Sequence, residues 1–251
     1  MKIAVCVKQV PDTETKVVLA GDGISIDPAD VKYVMNPYDE FAVEEALKLK
    51  EAAGEGEVVV LTVGGEDAQP AMRTAMAMGA DSGILLKAAH AELADGLTIA
   101  KALATELKTL EVDLVITGKL AIDGYGHQVA SMLGELLQMP VLPTAKSLEV
   151  SNGVATIKRD IEGGKETVEA TIPCVVTAEK GLNEPRYPAL KGIMQAKRKS
   201  LEIKDVELDA GGIEIMEMSY PAKKPDGRII GEGPEAAAEL VKLLRDEAQV
   251  I

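Results

Sequence analysis

The chain has 251 residues, of which 47% are hydrophobic and only 2% aromatic, so a core must be built from aliphatic side chains and methionine. The formal net charge of −14 disfavours nucleic acid and anionic membrane surfaces as partners, because binding to either needs a surplus of Lys and Arg. A small nucleotide is compatible with this charge, since backbone N–H groups at a helix start bind phosphate without side-chain cations.

Apolar runs alternate with amphipathic segments through the first two-thirds of the chain. We expect buried strands at residues 3–7, 58–63, 83–87 and 114–117, and helices at residues 37–53, 67–78, 93–110 and from about residue 129. Asn36-Pro37 marks the start of the first helix and Gly54 marks its end. Continuous apolar strands separated by helices predict a doubly wound α/β fold, with a mostly parallel sheet and helices on both faces.

The pattern changes after Pro140 and Pro143. Asn152-Gly153 predicts a hairpin turn between two short strands, and a third alternating segment completes a small antiparallel meander. The run PCVVTA at residues 173–178 is expected to rejoin the main sheet, and residues 235–246 to form a last helix. We therefore expect an α/β domain at residues 1–200, with an antiparallel insert at 145–172 and a loop at 181–199, followed by an extended C-terminal arm at 201–251.

Several kinds of chemistry find no support in the sequence. Cys6 and Cys174 lie in apolar strand-like runs and are expected to be buried, reduced thiols. His90 and His127 have no Cys or carboxylate at ligand spacing, so we expect no metal site, and no catalytic nucleophile or acid–base pair stands out. No stretch is long enough to span a membrane, and the first residues lack the features of a signal peptide, so we expect a cytoplasmic protein without direct membrane insertion.

The segment GKLAIDGYGHQV, residues 118–129, joins a buried strand to a helix and is the strongest candidate site. Its glycines allow two interpretations: a tight turn that needs positive φ or close approach, or a nest of N–H groups that holds a phosphate at a helix start. The segment matches neither the GxGxxG dinucleotide fingerprint nor the P-loop, so standard NAD binding, and with it an NAD dehydrogenase, is not supported.

Two other segments have both a structural and a functional interpretation. Asn36-Pro37-Tyr38-Asp39 is first of all a helix cap, but Tyr38 could stack on a planar ligand in a protein so poor in aromatic residues. Residues 182–187 could be an ordered surface loop, and Leu190, beside a basic run, could be an exposed apolar anchor for a partner.

Five segments in chain order resemble the small (beta) subunit of the electron-transferring flavoproteins: MKIAVCVKQVPD, MNPYDEFAVEEALKLKE, RTAMAMGAD, GKLAIDGYGHQ and LNEPRYPALKGIMQAKRKSLEI. The resemblance spans nearly the whole chain. It implies a large (alpha) subunit that holds most of a redox-active FAD, on which the C-terminal arm and helix of this chain would pack. It also implies electron carriage, not catalysis, from flavin dehydrogenases such as acyl-CoA dehydrogenases to a membrane quinone-linked oxidoreductase.

The resemblance further implies a nucleotide, usually AMP, that is buried in the small subunit and takes no part in redox chemistry. Tyr38 falls on the family's aromatic residue beside the flavin, and Thr13 on a flavin-facing position that is aromatic in some relatives. The family's nucleotide contacts map to Cys6, Asn36, Pro37, Tyr38, Asp39, Val63, Gly118, Ala121, Ile122, Asp123, Gly124, Tyr125, Gly126, His127, Gln128 and Val129.

The same resemblance assigns partner contacts. Leu190 falls on the leucine that enters a pocket of partner dehydrogenases, and Lys197, Arg198 and Lys199 would steer the carrier toward acidic surfaces. Asp160 falls on an acidic position that pairs with an arginine of the large subunit.

Two alternatives to the AMP-containing carrier stay open. Gly124 and the pair Gln128-Val129 are similar to electron-bifurcating members, which bind a second FAD in place of AMP and oxidise NADH; the docking loop and Tyr125-Gly126 favour AMP. The other alternative is a stand-alone adenine-nucleotide-binding module on the same fold, which would need no large subunit.

Overall fold

A computed structural model describes residues 1–224 and 226–251 of the chain. Its strands are β1 Lys2–Cys6, β2 Gln9–Pro11, β3 Tyr33–Met35, β4 Glu57–Gly64, β5 Ser82–Lys87, β6 Leu114–Gly118, β7 Val141–Ala145, β8 Ser147–Ser151, β9 Val154–Ile161, β10 Gly164–Thr171, β11 Cys174–Ala178 and β12 Leu201–Asp205. Its α-helices are α1 Pro37–Ala53, α2 Gln69–Met78, α3 Gly96–Leu110, α4 Val129–Leu137, α5 Leu190–Ala196 and α6 Ala236–Asp246.

The described residues form one seven-stranded sheet in the order β12-β5-β4-β1-β6-β11-β7, and every neighbouring pair in it is parallel. Side chains of α1 and α2 fill an aliphatic core on one face of the sheet, and those of α3 and α4 fill a second core on the other face. The predicted doubly wound α/β fold is confirmed. Strands β8, β9 and β10 form the expected antiparallel meander, whose buried Ala155 and Ile157 join the first core.

The first helix illustrates how local sequence sets the boundaries. Pro37 stands in the first turn, where its missing N–H costs nothing, and Asp39 and Glu40 place negative charge at the positive end of the helix dipole. Gly54 ends the helix in the left-handed region with φ 73°. Both predicted limits of α1 are therefore those of the structure.

Two strands of the main sheet lie outside the expected pattern. Strand β7 contains Pro143 and lies at one edge of the sheet, where a missing N–H is tolerated. Strand β12 forms the opposite edge by pairing with β5. The sheet thus extends past residue 200, at which the arm was expected to begin.

The chain forms two compact units, Met1–Met218 and Ser219–Ile251. In the first unit, the connection from β11 to β12 passes from one side of the sheet to the far edge and contains α5. In the second unit, α6 has no buried residue, and Arg228 pairs with Glu247.

Candidate functional site: a strand-end crevice and an exposed loop

The site lies where β1 and β6 run side by side. The chain leaves β1 through α1 on one face of the sheet and leaves β6 through α4 on the other. In doubly wound sheets, ligands usually bind at the carboxyl ends of two strands whose connections diverge in this way, and we call this region the crevice. The predicted turn at residues 118–129 and the start of α1 both lie at this edge.

Asn36 and Asp39 join the two sides of the crevice through buried hydrogen bonds. The Asp39 carboxylate accepts from the backbone N–H of Lys8 at 2.7 Å, from the Asn36 amide at 2.9 Å and from the backbone N–H of Gly118 at 3.1 Å. The Asn36 side chain also donates to the Leu120 carbonyl at 2.8 Å and accepts from the Ile122 N–H at 3.2 Å.

The capping interpretation of Asn36 is corrected by these contacts. Asn36 stands at the N-cap position of α1, but its side chain makes no capping hydrogen bond to the helix backbone. Its amide is used across the crevice instead, because the turn after β6 offers a buried carbonyl and N–H that need partners. Pro37 and the acidic residues of the first turn therefore stabilise the start of α1 without a side-chain cap from Asn36.

Burial changes the acidity of two groups in the crevice. Burial raises the pKa of the Asp39 carboxyl to about 7, and the hydrogen bonds that it accepts oppose this rise. Burial, with the nearby Asp39, raises the pKa of the Cys6 thiol to about 12. Cys6 is therefore a protonated, buried thiol, as is Cys174, whose pKa burial raises to about 11.

The glycines of the turn have different roles. Gly118 is buried so close to Tyr38 that an added Cβ would lie 2.7 Å from the Tyr38 Cβ and 2.8 Å from its carbonyl carbon. Gly124 and Gly126 have open space around them, and neither has a positive φ. The expected positive φ values occur instead at Tyr125 and His127, both at 52°.

The outer part of the turn is exposed and holds unused backbone donors. The Lys8 ammonium pairs with Asp123 at 2.6 Å across the mouth of the crevice, and the Tyr125 N–H donates to the Ala121 carbonyl at 2.9 Å. Within the described residues, the N–H groups from Gly126 to Ser131 have no hydrogen-bond partner. The last three of these N–H groups belong to the first turn of α4, at the positive end of its dipole, and donors at such a position can bind an anion.

An apolar wall lies beside these donors. Cys6 belongs to the core between the sheet and helices α3 and α4, and Val63 and Val129 pack against the same core. Gly96, at the start of α3, lies against Gln128 and Val129. The structure thus brings together the predicted residues from β1, β4 and the turn after β6 on one face of the sheet.

Tyr38 stands at the start of α1 and is half-buried. The Lys119 ammonium lies 5.1 Å from the centre of its ring and pairs with Glu179 at 2.6 Å, and this hydrogen bond raises the pKa of Lys119. Thr13 is exposed in the segment after β2, and its hydroxyl contacts Asp12.

The second predicted surface is the segment at residues 181–199. Leu190 starts α5 with 76% of its surface exposed, and Tyr187 beside it is 96% exposed. Lys197 and Arg198 are exposed as well. The ammonium of Lys199 is not free for a partner: it donates to the carbonyls of Met76 and Ala80, at 2.9 and 2.6 Å, because these lie at the end of α2 and need donors.

Asp160 lies on β9, in the antiparallel meander. Its carboxylate is 58% exposed and lies 3.9 Å from the Lys146 ammonium. It is accessible to a partner, as its predicted pairing requires.

Comparisons with known proteins identify the family of the chain. A family model described as "Electron transfer flavoprotein domain" matches residues 24–209. The chain is 44% identical to the electron transfer flavoprotein subunit beta of Bacillus subtilis, 41% to that of Bradyrhizobium diazoefficiens and 38% to that of Syntrophomonas wolfei, with 100% of this chain and 98–100% of each relative aligned. The chain belongs to the electron transfer flavoprotein family, among its beta subunits.

Sequence reasoning missed several residues that shape the two surfaces of this electron transfer flavoprotein chain. Lys8 and Lys119 border the crevice, and Asn183 and Arg186 tie the exposed loop to α1. Lys8 and Lys119 each lie within two residues of the end of a buried strand, and this pattern in the sequence could have identified them. The partners of Asn183 and Arg186 lie more than 130 residues away in sequence, so no local sequence pattern predicts these contacts.

None of the described helices of this electron transfer flavoprotein chain combines the length and the apolar character needed to cross a membrane. No group of three His, Cys, Asp or Glu side chains among residues 1–224 and 226–251 is arranged to hold a metal ion.

Proposed function

We propose that this chain is the small subunit of a heterodimeric electron carrier that works in the cytoplasm. It would pair with an alpha subunit that holds most of a redox-active FAD. The complex would take electrons from flavin dehydrogenases, such as acyl-CoA dehydrogenases, and pass them to a quinone-linked oxidoreductase. Full-length similarity to beta subunits supports the pairing, and the exposed Leu190 supports docking to a partner.

One observation carries the proposal of a structural nucleotide: the unpaired N–H groups from Gly126 to Ser131, at the start of α4, beside an apolar wall. Donors of this kind fit a phosphate, and the wall formed by Cys6, Val63 and Val129 fits an adenine. The Asn36 and Asp39 hydrogen bonds hold the inner part of the turn at Gly118 and Ile122 without a bound ligand, which limits the ordering that binding would require.

We assign the phosphate of AMP to the N–H groups at the start of α4 and its adenine to the apolar wall. Tyr38 would contact the FAD of the alpha subunit, with Lys119 beside its ring. Bound FAD supplies the electron transfer chemistry. The residues of this chain bind and orient: Asp39 and Asn36 fix the turn, and Tyr38 presents an aromatic face.

A second FAD in place of AMP is the competing assignment. The open space around Gly124 and Gly126 gives room for a larger ligand over the turn. The Lys8–Asp123 ion pair across the mouth of the crevice favours the smaller one, because a ligand extending outward would have to displace it.

The first experiment is to co-express the chain with its alpha subunit, purify the complex, denature it and quantify the released nucleotides by chromatography. One FAD and one AMP per complex would support the proposed carrier. Two FAD, with NADH oxidation, would support the bifurcating form. A chain that is purified as a stable monomer and binds ATP reversibly would contradict the pairing and favour a stand-alone nucleotide-binding module.

A further inference from the structure

We propose that Asn183 and Arg186 are positioning residues for docking: they clamp the loop before α5 onto α1 and hold Leu190 in a fixed, exposed position. The inference rests on the proposed role of Leu190 as a partner anchor. It adds a device that prepares this anchor for binding before the partner arrives.

The Arg186 side of the clamp is a fork of charged hydrogen bonds. Its guanidinium donates to Glu44 at 2.8 and 2.9 Å and to Glu51 at 2.6 and 3.1 Å, and its backbone N–H donates to Glu44 at 3.1 Å. Glu44 is only 5% exposed, whereas the Glu51 side chain is 59% exposed. The arginine therefore joins a surface loop to a buried carboxylate on α1.

Asn183 makes the second attachment three residues earlier. Its amide donates to the Glu45 carboxylate at 2.8 Å and to the Phe41 carbonyl at 2.9 Å. Glu45 is 4% exposed, so this contact also reaches a buried acid on α1. Buried carboxylates are costly unless they are hydrogen-bonded or paired, and the loop supplies partners for both. Detaching the loop would leave Glu44 without its cation, which disfavours that motion.

The far end of the segment is held by α2. Arg73 donates to the carbonyls of Ala196 and Lys199, at 2.5 and 2.9 Å, and Gly192 lies against the Ala77 carbonyl, where a Cβ would not fit. The segment is therefore attached on both sides of its tip.

The tip itself stays free within the described residues. Tyr187, Leu190 and Met194 are 96%, 76% and 61% exposed. Apolar residues on a rigid loop lose less conformational entropy on binding than those on a flexible loop. A rigid tip therefore binds a partner with higher affinity. The same α1 helix presents Tyr38 at its start, so the clamp also fixes the docking tip relative to the crevice.

The test uses the complete αβ complex and compares Arg186→Lys and Glu44→Gln with Glu55→Gln. Lysine keeps the charge but loses the fork, and Gln keeps the shape of Glu44 but loses its charge. Glu55 is exposed just beyond α1 and contacts nothing on the loop, so its variant removes the same charge without touching the clamp. The donor is a purified acyl-CoA dehydrogenase reduced by its acyl-CoA substrate.

We expect both clamp variants to raise the KM for the carrier about tenfold, because a loop that is not held by the clamp must become ordered when the dehydrogenase binds. The kcat should stay within about twofold of wild type, and the FAD content should be unchanged. Backbone amide exchange at residues 183–199 should accelerate in the same variants and not in Glu55→Gln. Faster exchange with an unchanged KM would overturn the inference, as would loss of FAD. If the wild-type complex accepts no electrons from the dehydrogenase, the proposed function is wrong. If backbone amide exchange at residues 183–199 is unchanged in Arg186→Lys, the clamp is wrong and the proposed function is not affected.

Discussion

Replacing Gly118 by Ala tests the assembly of the crevice at its tightest point. The new Cβ would lie 2.7 Å from the Tyr38 Cβ and 2.8 Å from the Tyr38 carbonyl carbon, so backbone atoms must move. Overpacking of this kind costs about 1–3 kcal/mol. Loss of the Gly118 N–H bond to the Asp39 carboxylate adds roughly 1.5–3 kcal/mol. We expect a total destabilisation of roughly 2.5–6 kcal/mol.

The assay is thermal unfolding of the αβ complex, with Gly124→Ala as the matched control from the same turn. For a chain of this size, each kcal/mol lowers Tm by about 2–4 °C, so the expected loss corresponds to a fall in Tm of roughly 5–24 °C. Gly124 has open space where its Cβ would be, so its variant should stay within about 0.5 kcal/mol of wild type. Equal Tm values for the two variants would refute the reasoning, because only Gly118 lies against α1.

Three further predictions concern other parts of the structure. Leu190→Ala should slow electron transfer from the dehydrogenase and leave the flavin content unchanged, and loss of FAD would contradict a pure docking role. The Asp39 carboxyl has its pKa raised by burial to about 7 from 3.8, so its contribution to stability is full below pH 3.8 and is lost as the pH rises to about 7. Asp39→Asn should remove this slope from urea midpoints measured between pH 5 and 8, and an unchanged slope would show that Asp39 is not its source. Lys199→Ala should lower the Tm of the complex, because the Lys199 ammonium donates to carbonyls at the end of α2. Lys197 is exposed, so Lys197→Ala should change only the salt dependence of electron transfer. Equal effects of the two variants on Tm would contradict these different roles.

The parallel core was predictable because its signals are local. Strands β1, β4, β6 and β11 are short apolar runs between turn residues, and parallel strands covered on both faces have this pattern. Edge strands carry weaker signals. Strand β7 contains a proline, and β12 contains three charged residues in LEIKD, so neither resembles a buried strand. Their assignment depends on which strand they meet, and that is a property of the whole fold.

At the candidate site, the sequence predicted which segments come together but not the contacts that each residue makes. Three glycines in one turn predicted a special backbone, yet only Gly118 is confined, and it is confined by α1, 79 residues away in sequence. Asn36 has the residue type and position of an N-cap, but its side-chain amide donates to the buried Leu120 carbonyl and makes no capping hydrogen bond. Lys199 reads as part of a basic run, although its ammonium turns inward to α2. In each case a distant backbone group decides the outcome.

The connection from β11 to β12 has a consequence for how such a carrier can change over evolution. Both of its ends are strands of the same sheet, and the parts between them are held by α1 and α2. Tyr187, Leu190 and Met194 are largely exposed to solvent, so substitutions there leave the Arg186 and Arg73 contacts with α1 and α2 in place. The tip can therefore change in sequence at little cost in folding stability, and if it docks redox partners as proposed, such changes would alter partner choice. On the proposed docking role, the fold separates the attachments that must stay constant from the exposed residues on which selection for a new partner would act.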